Sequence, residues 1–273
     1  MFLHVLTVGV QQWKIVFRGA LASVLVLAVS GTPATAAEKC TQTSSPIETD
    51  RPDVTNSSVV IPVGSFQIEN GVNLSRSGGS QIFDGTNSRV RLGVAPCLEV
   101  LLDLPSYVSA FRGPGPSGFT SVAPGLKWQI SPIAGKFDLS IAIGAGLPTG
   151  ATAIAGSGVR PYLQFPWSVE LGSGWAVTGM VTNFFAPDDP VNRYTNQSTL
   201  VLERQFGERA FLFAEYVGEF KLVGGTSNLF NSGGGYRITD KQQIDFHFGL
   251  GLNRNAPAYV LGLGYSFRLD GLF

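Results

Sequence analysis

Gln242-Gln243-Ile244-Asp245-Phe246-His247-Phe248-Gly249-Leu250-Gly251-Leu252, a break at Arg254-Asn255-Ala256-Pro257, and Tyr259-Val260-Leu261-Gly262-Leu263-Gly264-Tyr265-Ser266-Phe267-Arg268 form the stretch that decides the fold. In both halves large apolar residues alternate with small or polar ones. A strand turns successive side chains to opposite faces, so each half presents one greasy face and one face of glycine, serine and charge. Phe273, Leu269, Phe267 and Tyr265 share the greasy phase, interrupted only by Gly271. A terminal Phe on an amphipathic last strand fits the end of a bacterial outer-membrane barrel. The competing reading is an ordinary antiparallel hairpin of a soluble sandwich.

The composition narrows the class. Charged residues make up 14% of the chain, against about 25% in an average soluble domain. Glycine occurs 34 times in 273 residues, well above its usual ~7%. Mean hydropathy is only +0.19, too low for a bundle of spanning helices. Moderate hydropathy, few charges and many glycines suit a protein whose apolar positions alternate along strands.

Residues 1–37 read as an export signal. Lys14 and Arg18 precede the apolar run Ala20 to Val29, and Ala34-Thr35-Ala36-Ala37 supplies a small-residue cleavage site. Its removal leaves 17 basic residues against 19 acidic ones, a balance that gives nucleic acid no foothold. Residues 38–63 are polar and irregular, and are expected to be a periplasmic amino-terminal segment or a plug. Residues 64–273 are expected to form the barrel.

From residue 64 onward the alternation recurs about twelve times. The connections near 75–88, 111–119, 148–158, 185–196 and 221–227 are long, and those near 95–97, 131–135, 170–174, 207–209 and 239–241 are short. The last one, 254–257, departs from the rhythm. Alternating long and short connections match a barrel with external loops and short periplasmic turns. The expected fold is therefore all-β, a single antiparallel transmembrane β-barrel of about twelve strands. Two strands are poorly defined. In Ala210 to Phe220 both faces carry aromatics, and Asn228 to Ile238 is broken by glycine. Trp128, Trp167 and Trp175 all lie on the apolar phase beside short turns, as an aromatic girdle at the inner membrane boundary would.

With the apolar face toward lipid, Glu69, Arg89, Arg91, Glu99, Asp103, Lys127, Asp138, Glu203, Asp245, His247 and Arg268 face inward. Each would cost up to ~2–4 kcal/mol on the lipid face at the midplane. Two readings stay open: the charges select solutes along a pore, or they pair merely to fill the lumen. Glu69, Arg91, Glu99 and Asp103 lie on neighbouring strands and are expected to form one ionic ladder.

Cys40 and Cys97 both fall on the periplasmic side of this topology, and about 3.3 Å per extended residue lets the amino-terminal segment reach the 95–97 turn. A Cys40–Cys97 disulfide is expected. The two cysteines and one mature-chain histidine lack metal-site spacing, and no glycine-rich loop carries a phosphate-binding Lys. No metal or cofactor is expected. His247, with Asp245 two residues away and Ser266 on the adjacent strand, is the one arrangement that hints at catalysis. A hydrogen-bonded pore-wall histidine explains it more simply.

Thr49-Asp50-Arg51-Pro52-Asp53 followed by Pro62-Val63-Gly64-Ser65-Phe66-Gln67-Ile68-Glu69-Asn70-Gly71 resembles the amino-terminal signature of the outer-membrane transporters named for the meta-cleavage pathway of phenol degradation. Leu147-Pro148-Thr149-Gly150 resembles that family's mid-chain motif. So does Gly235-Tyr236-Arg237-Ile238-Thr239-Asp240 leading into Gln243-Ile244-Asp245 and Gly249-Leu250-Gly251-Leu252-Asn253. The resemblance implies an outer-membrane barrel with a transport role. The expected activity is that of a porin-like channel and not an enzyme. It would pass a small solute passively, in one reading an apolar or aromatic one. The rival is a closed structural or adhesive barrel. Its expected partners are outer-membrane lipid, the barrel assembly machinery and the solute.

Overall fold

The computed structural model describes Cys40, residues 45–133 and residues 137–273. The expected signal peptide, 1–37, lies outside the described residues.

An amphipathic strand cannot bury one face alone, and a sheet edge in lipid leaves backbone groups unpaired, so the alternating segments close on themselves. The strands are β1 (Phe66–Ser77), β2 (Ser80–Gly85), β3 (Arg89–Ala95), β4 (Leu98–Asp103), β5 (Tyr107–Arg112), β6 (Ser117–Phe119), β7 (Ala123–Ile133) and β8 (Phe137–Gly146). After one helical turn at Thr152–Ala155 come β9 (Arg160–Gly172), β10 (Trp175–Phe185), β11 (Tyr194–Phe206), β12 (Ala210–Lys221), β13 (Thr226–Thr239), β14 (Gln242–Gly251) and β15 (Tyr259–Leu269). Twelve of them close an antiparallel barrel, in the order β1, β3, β4, β7 and then β8 through β15. β15 returns to β1 in register from Phe66↔Leu269 to Arg76↔Tyr259, which removes the edge. No helix among the described residues is long and apolar enough to cross a membrane.

Three stretches expected as loops or loop edges are β-structure. Ser75 to Gly85 continues as a hairpin that turns at Gly78-Gly79, and β2, β5 and β6 form an outer extension on β1. Each extension strand continues a barrel strand after a short interruption, at 86–88, 104–106 and 120–122. Serine, glycine and asparagine disguised these strands, because pairing rather than side-chain propensity holds them.

β12 and β13 resolve the other two doubtful segments. Phe211, Phe213, Glu215 and Val217 are the buried phase of β12, and Phe211, Phe213 and Val201 cluster inside the wall. The glycines that made β13 look broken leave room for those rings, since a Cβ at Gly235 would overlap the Phe211 ring. β13 is accordingly a continuous 14-residue strand. The outward face is predominantly apolar, with Trp128 at 54% exposure and Leu263 at 63%. Trp128, Trp167 and Trp175 face outward in the half of the barrel nearer the short turns. Arg204 lies over the Trp175 ring at 4.9 Å.

Candidate functional site: the lumen and its amino-terminal segment

Residues 45–63 form no strand, yet they run through the barrel interior. Such a segment needs acceptors for its backbone N–H groups, because an unpaired buried amide costs as much as a lost hydrogen bond. The inward side chains of the wall supply them. Glu69 accepts from the Asp50 amide at 2.9 Å. Glu215 accepts from the Val54 and Thr55 amides, each at 3.0 Å, and from the Thr55 hydroxyl at 2.8 Å. Gln129 and Glu99 accept from the amides of Val60 and Ile61 at 3.1 and 2.8 Å. The period-2 pattern that put polar groups inside thus serves the backbone of this segment.

An ionic network fixes the segment against β1, β3, β4 and β7. Arg91 is fully buried. It pairs with Glu69 at 3.1 Å and Glu99 at 3.0 Å, and donates to the carbonyls of Glu48 and Val59, both at 3.0 Å. Asp50 stands at the centre, 2.9 Å from Arg89, 3.4 Å from Lys127 and 3.5 Å from Arg91. Asp103 pairs with Arg89 at 2.6 Å and not with Arg91, which leaves the expected ladder as two linked clusters. Taking three cations and several carboxylates out of water costs several kcal/mol per ion, and only this density of pairing offsets it.

On the β15 flank of β1, Arg51 reaches Asp245 of β14 at 3.2 Å. Its guanidinium lies flat against Gly71 and Gly264, where any Cβ would overlap it. His247 is held between Asn231 and Asn73, with its ring nitrogens each 3.1 Å from an amide oxygen. Asp245 is committed to Arg51, and the Ser266 hydroxyl has no hydrogen-bond partner. The Ser/His/carboxylate arrangement therefore does not form. Arg268, at the inner mouth, pairs with Asp270 at 2.8 Å and donates to the Ser45 carbonyl at 2.7 Å. Asp138 and Glu203 face inward, half-buried, on β8 and β11.

Cys40 and Cys97 are joined by a disulfide with their Cα atoms 5.5 Å apart. With Val60 they form a small buried cluster at the inner end. Cys97 sits at φ 62° in the tight turn between β3 and β4, a left-handed position where glycine or asparagine is usual. Beside the segment a cavity of about 350 Å³ is bounded by Asp50, Arg51, Asp53, Asn56, Glu69, Arg89 and Asp103, and by residues of the strand interruptions.

Sequence reasoning missed Asp50, Arg51 and Glu215 as parts of this site. Asp50 and Arg51 stood in a recognised motif without a partner in sight. Glu215 was hidden by the two-faced aromatics of β12, although sharing a phase with Phe213 and Val217 would have placed it inside.

The profile of the family described as "Putative MetA-pathway of phenol degradation" matches residues 49–269. The chain belongs to that family. The matched region starts at Thr49, so it takes in the Asp50–Arg51 part of the lumen segment together with the barrel. An outer-membrane channel from Pseudomonas putida F1 superposes with a TM-score of 0.63 at 15% identity, covering 81% of this chain and 100% of its own. The NanC porin superposes with a TM-score of 0.57 at 9% identity, covering 75% of this chain and 100% of its own. For the KdgM porin the values are 0.51, 10%, 74% and 98%. At these identities the likeness establishes the fold; the three proteins named are a channel and two porins. No curated protein compared with the chain matches it. This member of the phenol-degradation family is a closed twelve-stranded antiparallel β-barrel.

Proposed function

We infer that the barrel is a passive channel for small solutes, with the amino-terminal segment as its gate. One observation carries the reading: hydrogen bonds and ion pairs hold the segment in the lumen, and water can replace every one of them. A barrel meant only as a wall has no reason to thread a polar tether through its centre. The inward charges then have two tasks. Seated, they hold the plug; when it shifts they line a wet path whose sign of charge selects solutes. The Cys40–Cys97 bridge, 57 residues apart in sequence, limits how far the segment can leave.

Planar-bilayer recording tests the reading. Removing 46–58 leaves Cys40 and β1 in place and should raise the single-channel conductance of the purified barrel several-fold. If neither the intact nor the shortened protein conducts, the barrel is a closed wall and the reading is wrong.

A further inference from the structure

The rim at the long-loop end of the barrel carries its cations unevenly. Arg160 is paired with Asp188 at 3.1 Å and Lys221 with Glu219 at 2.8 Å. Arg193 shares its loop with Asp188 and Asp189. Over β1, β2, β5 and the β14–β15 connection the balance differs. Residues 75–83, 110–119 and 252–262 contain Arg76, Arg112 and Arg254 and no acidic residue. All three arginines are exposed. Among the described residues none of the three has an ion pair or a side-chain hydrogen bond.

Strand register sets where the first two stand. Arg76 continues the outward phase of β1 beyond Val72 and Leu74, and lies in register between Tyr259 of β15 and Gln81 of β2. The Gln81 amide donates to the Tyr259 hydroxyl at 3.2 Å, across the strand that carries Arg76. Gln81 in turn opposes Arg112 of β5. Residues opposed across a ladder share a face, so one outward row reads Tyr259, Arg76, Gln81, Arg112. From Phe66 to Arg76 the strand climbs roughly 25 Å along the barrel axis at ordinary rise and tilt, the height of the apolar band in barrels of this kind. The row therefore stands at headgroup level. Below it Val72, Phe83, Leu261 and Leu263 are exposed on the outward face.

Arg254 is placed by its neighbours. Asn253 donates to the Thr226 carbonyl at 2.8 Å, and Asn255 to the Gly224 carbonyl at 3.0 Å. These bonds fix the connection and leave the residue between them to solvent. With Arg76, Gly78, Gly79 and Leu252 it lines a groove of about 630 Å³ between the β1–β2 hairpin and the β14–β15 connection. Like charges gathered without a carboxylate gain from an anion, and a guanidinium fork meets phosphate with two bonds.

We propose that Arg76, Arg112 and Arg254 bind a lipid of the surrounding leaflet that carries two phosphate groups on one headgroup. Arg76 and Arg254 take one phosphate in the groove. Arg112, two strands from Arg76 and so about 10 Å away, takes the other. The acyl chains run down Val72, Phe83, Leu261 and Leu263. The proposal rests on the channel reading only in needing the barrel to span a membrane; it does not need the barrel to conduct.

Native mass spectrometry of the folded protein in detergent, with defined lipids added, tests the site. Diphosphoryl lipid A should be retained roughly fivefold more than monophosphoryl lipid A or phosphatidylglycerol, the gain from one further arginine–phosphate contact. Inorganic phosphate should not bind. Arg112→Gln should bring diphosphoryl lipid A down to the monophosphoryl level, and Arg76→Gln with Arg254→Gln should release both forms. Arg193→Gln, on the same rim, should change nothing, and heat-modifiable mobility checks that each variant is folded. Equal retention of the two lipid A forms by the wild type overturns the site, as does retention that the substitutions leave unaltered. Inorganic phosphate bound as well as the lipid, or an equal loss with Arg193→Gln, overturns it too. Planar-bilayer conductance separates the two readings. A wild type that retains the lipid and never conducts overturns the channel and leaves the lipid site, and one that conducts without retaining it does the reverse.

Discussion

From β8 to β15 each strand runs from one rim to the other without interruption and pairs with its successor along most of its length, whereas from β1 to β7 three successive strands break at one level and resume. The lumen is divided in the same way. The β1–β7 side carries Arg89, Arg91, Glu99 and Lys127, all engaged with the plug or with one another. The β11–β13 side carries Phe211, Phe213 and Val201 over glycine. Packed interior rings occur only beside regular pairing, and the broken pairing stands beside the cavity and the densest charge, although Glu215 on β12 and Asp245 on β14 also engage the segment. A wall supported from inside by apolar packing need not bend. A wall can present acceptors to an irregular segment with its ladder intact, as β12 does with Glu215; it is where space is left beside the segment that the ladder is given up.

The contrast should break most visibly at Arg91. Replacing it with Glu places a fourth carboxylate among Glu69, Glu99 and Asp50. Losing one partner of a buried pair costs about 3–5 kcal/mol, and reversing the charge costs more. Heat-modifiable mobility should be lost, or the urea midpoint in detergent should fall further than for any other single change discussed here. An unaltered midpoint would mean that the charged half does not hold the plug.

The covalent tie comes next. Cys40→Ser opens a loop of 57 residues, which on the chain-entropy account lowers stability by about 2–4 kcal/mol. It should also raise protease sensitivity in residues 45–63 before the barrel unfolds. Equal cleavage rates in wild type and variant would show that the ion pairs alone seat the segment.

Gly235→Ala probes the packed half. The added methyl overlaps the Phe211 ring, and overpacking of this kind costs roughly 1–3 kcal/mol. The midpoint should drop without any change in plug protection or conductance. If conductance changed as well, the two halves would be mechanically coupled and the comparison too sharp.

The smallest effect belongs to the external loops. Asp188 accepts from Arg160 at 3.1 Å and from the Ser157 and Gly158 amides at 2.9 and 3.1 Å. The Arg160 side chain first, then those amides, hold its carboxyl well below the usual range. A depressed folded-state value means that the clasp is complete above the ordinary carboxylate range and is lost only as pH falls through that lower value. Hydrogen exchange in 147–159 should therefore be flat from neutral to mildly acidic pH in the wild type. In Asp188→Asn it should already be faster at neutral pH, with barrel stability unchanged.

The sequence by itself determined the barrel. Period-2 alternation in segments such as Tyr259 to Arg268 leaves one greasy face, and few charges with many glycines leave no soluble core to hide it in. It determined the inward side of Glu69, Arg91 and Glu99 too, because strand geometry assigns faces two residues at a time. Only the tertiary structure decided what those groups face. Asp50 meets Arg89 and Lys127 across 39 and 77 residues, and Glu215 meets Thr55 across 160. Local periodicity carries no information about contacts of that range. The interruptions at 86–88, 104–106 and 120–122 were equally silent, since each reads alone as an ordinary polar or Pro-containing turn. They become one seam only when barrel closure brings them to the same height.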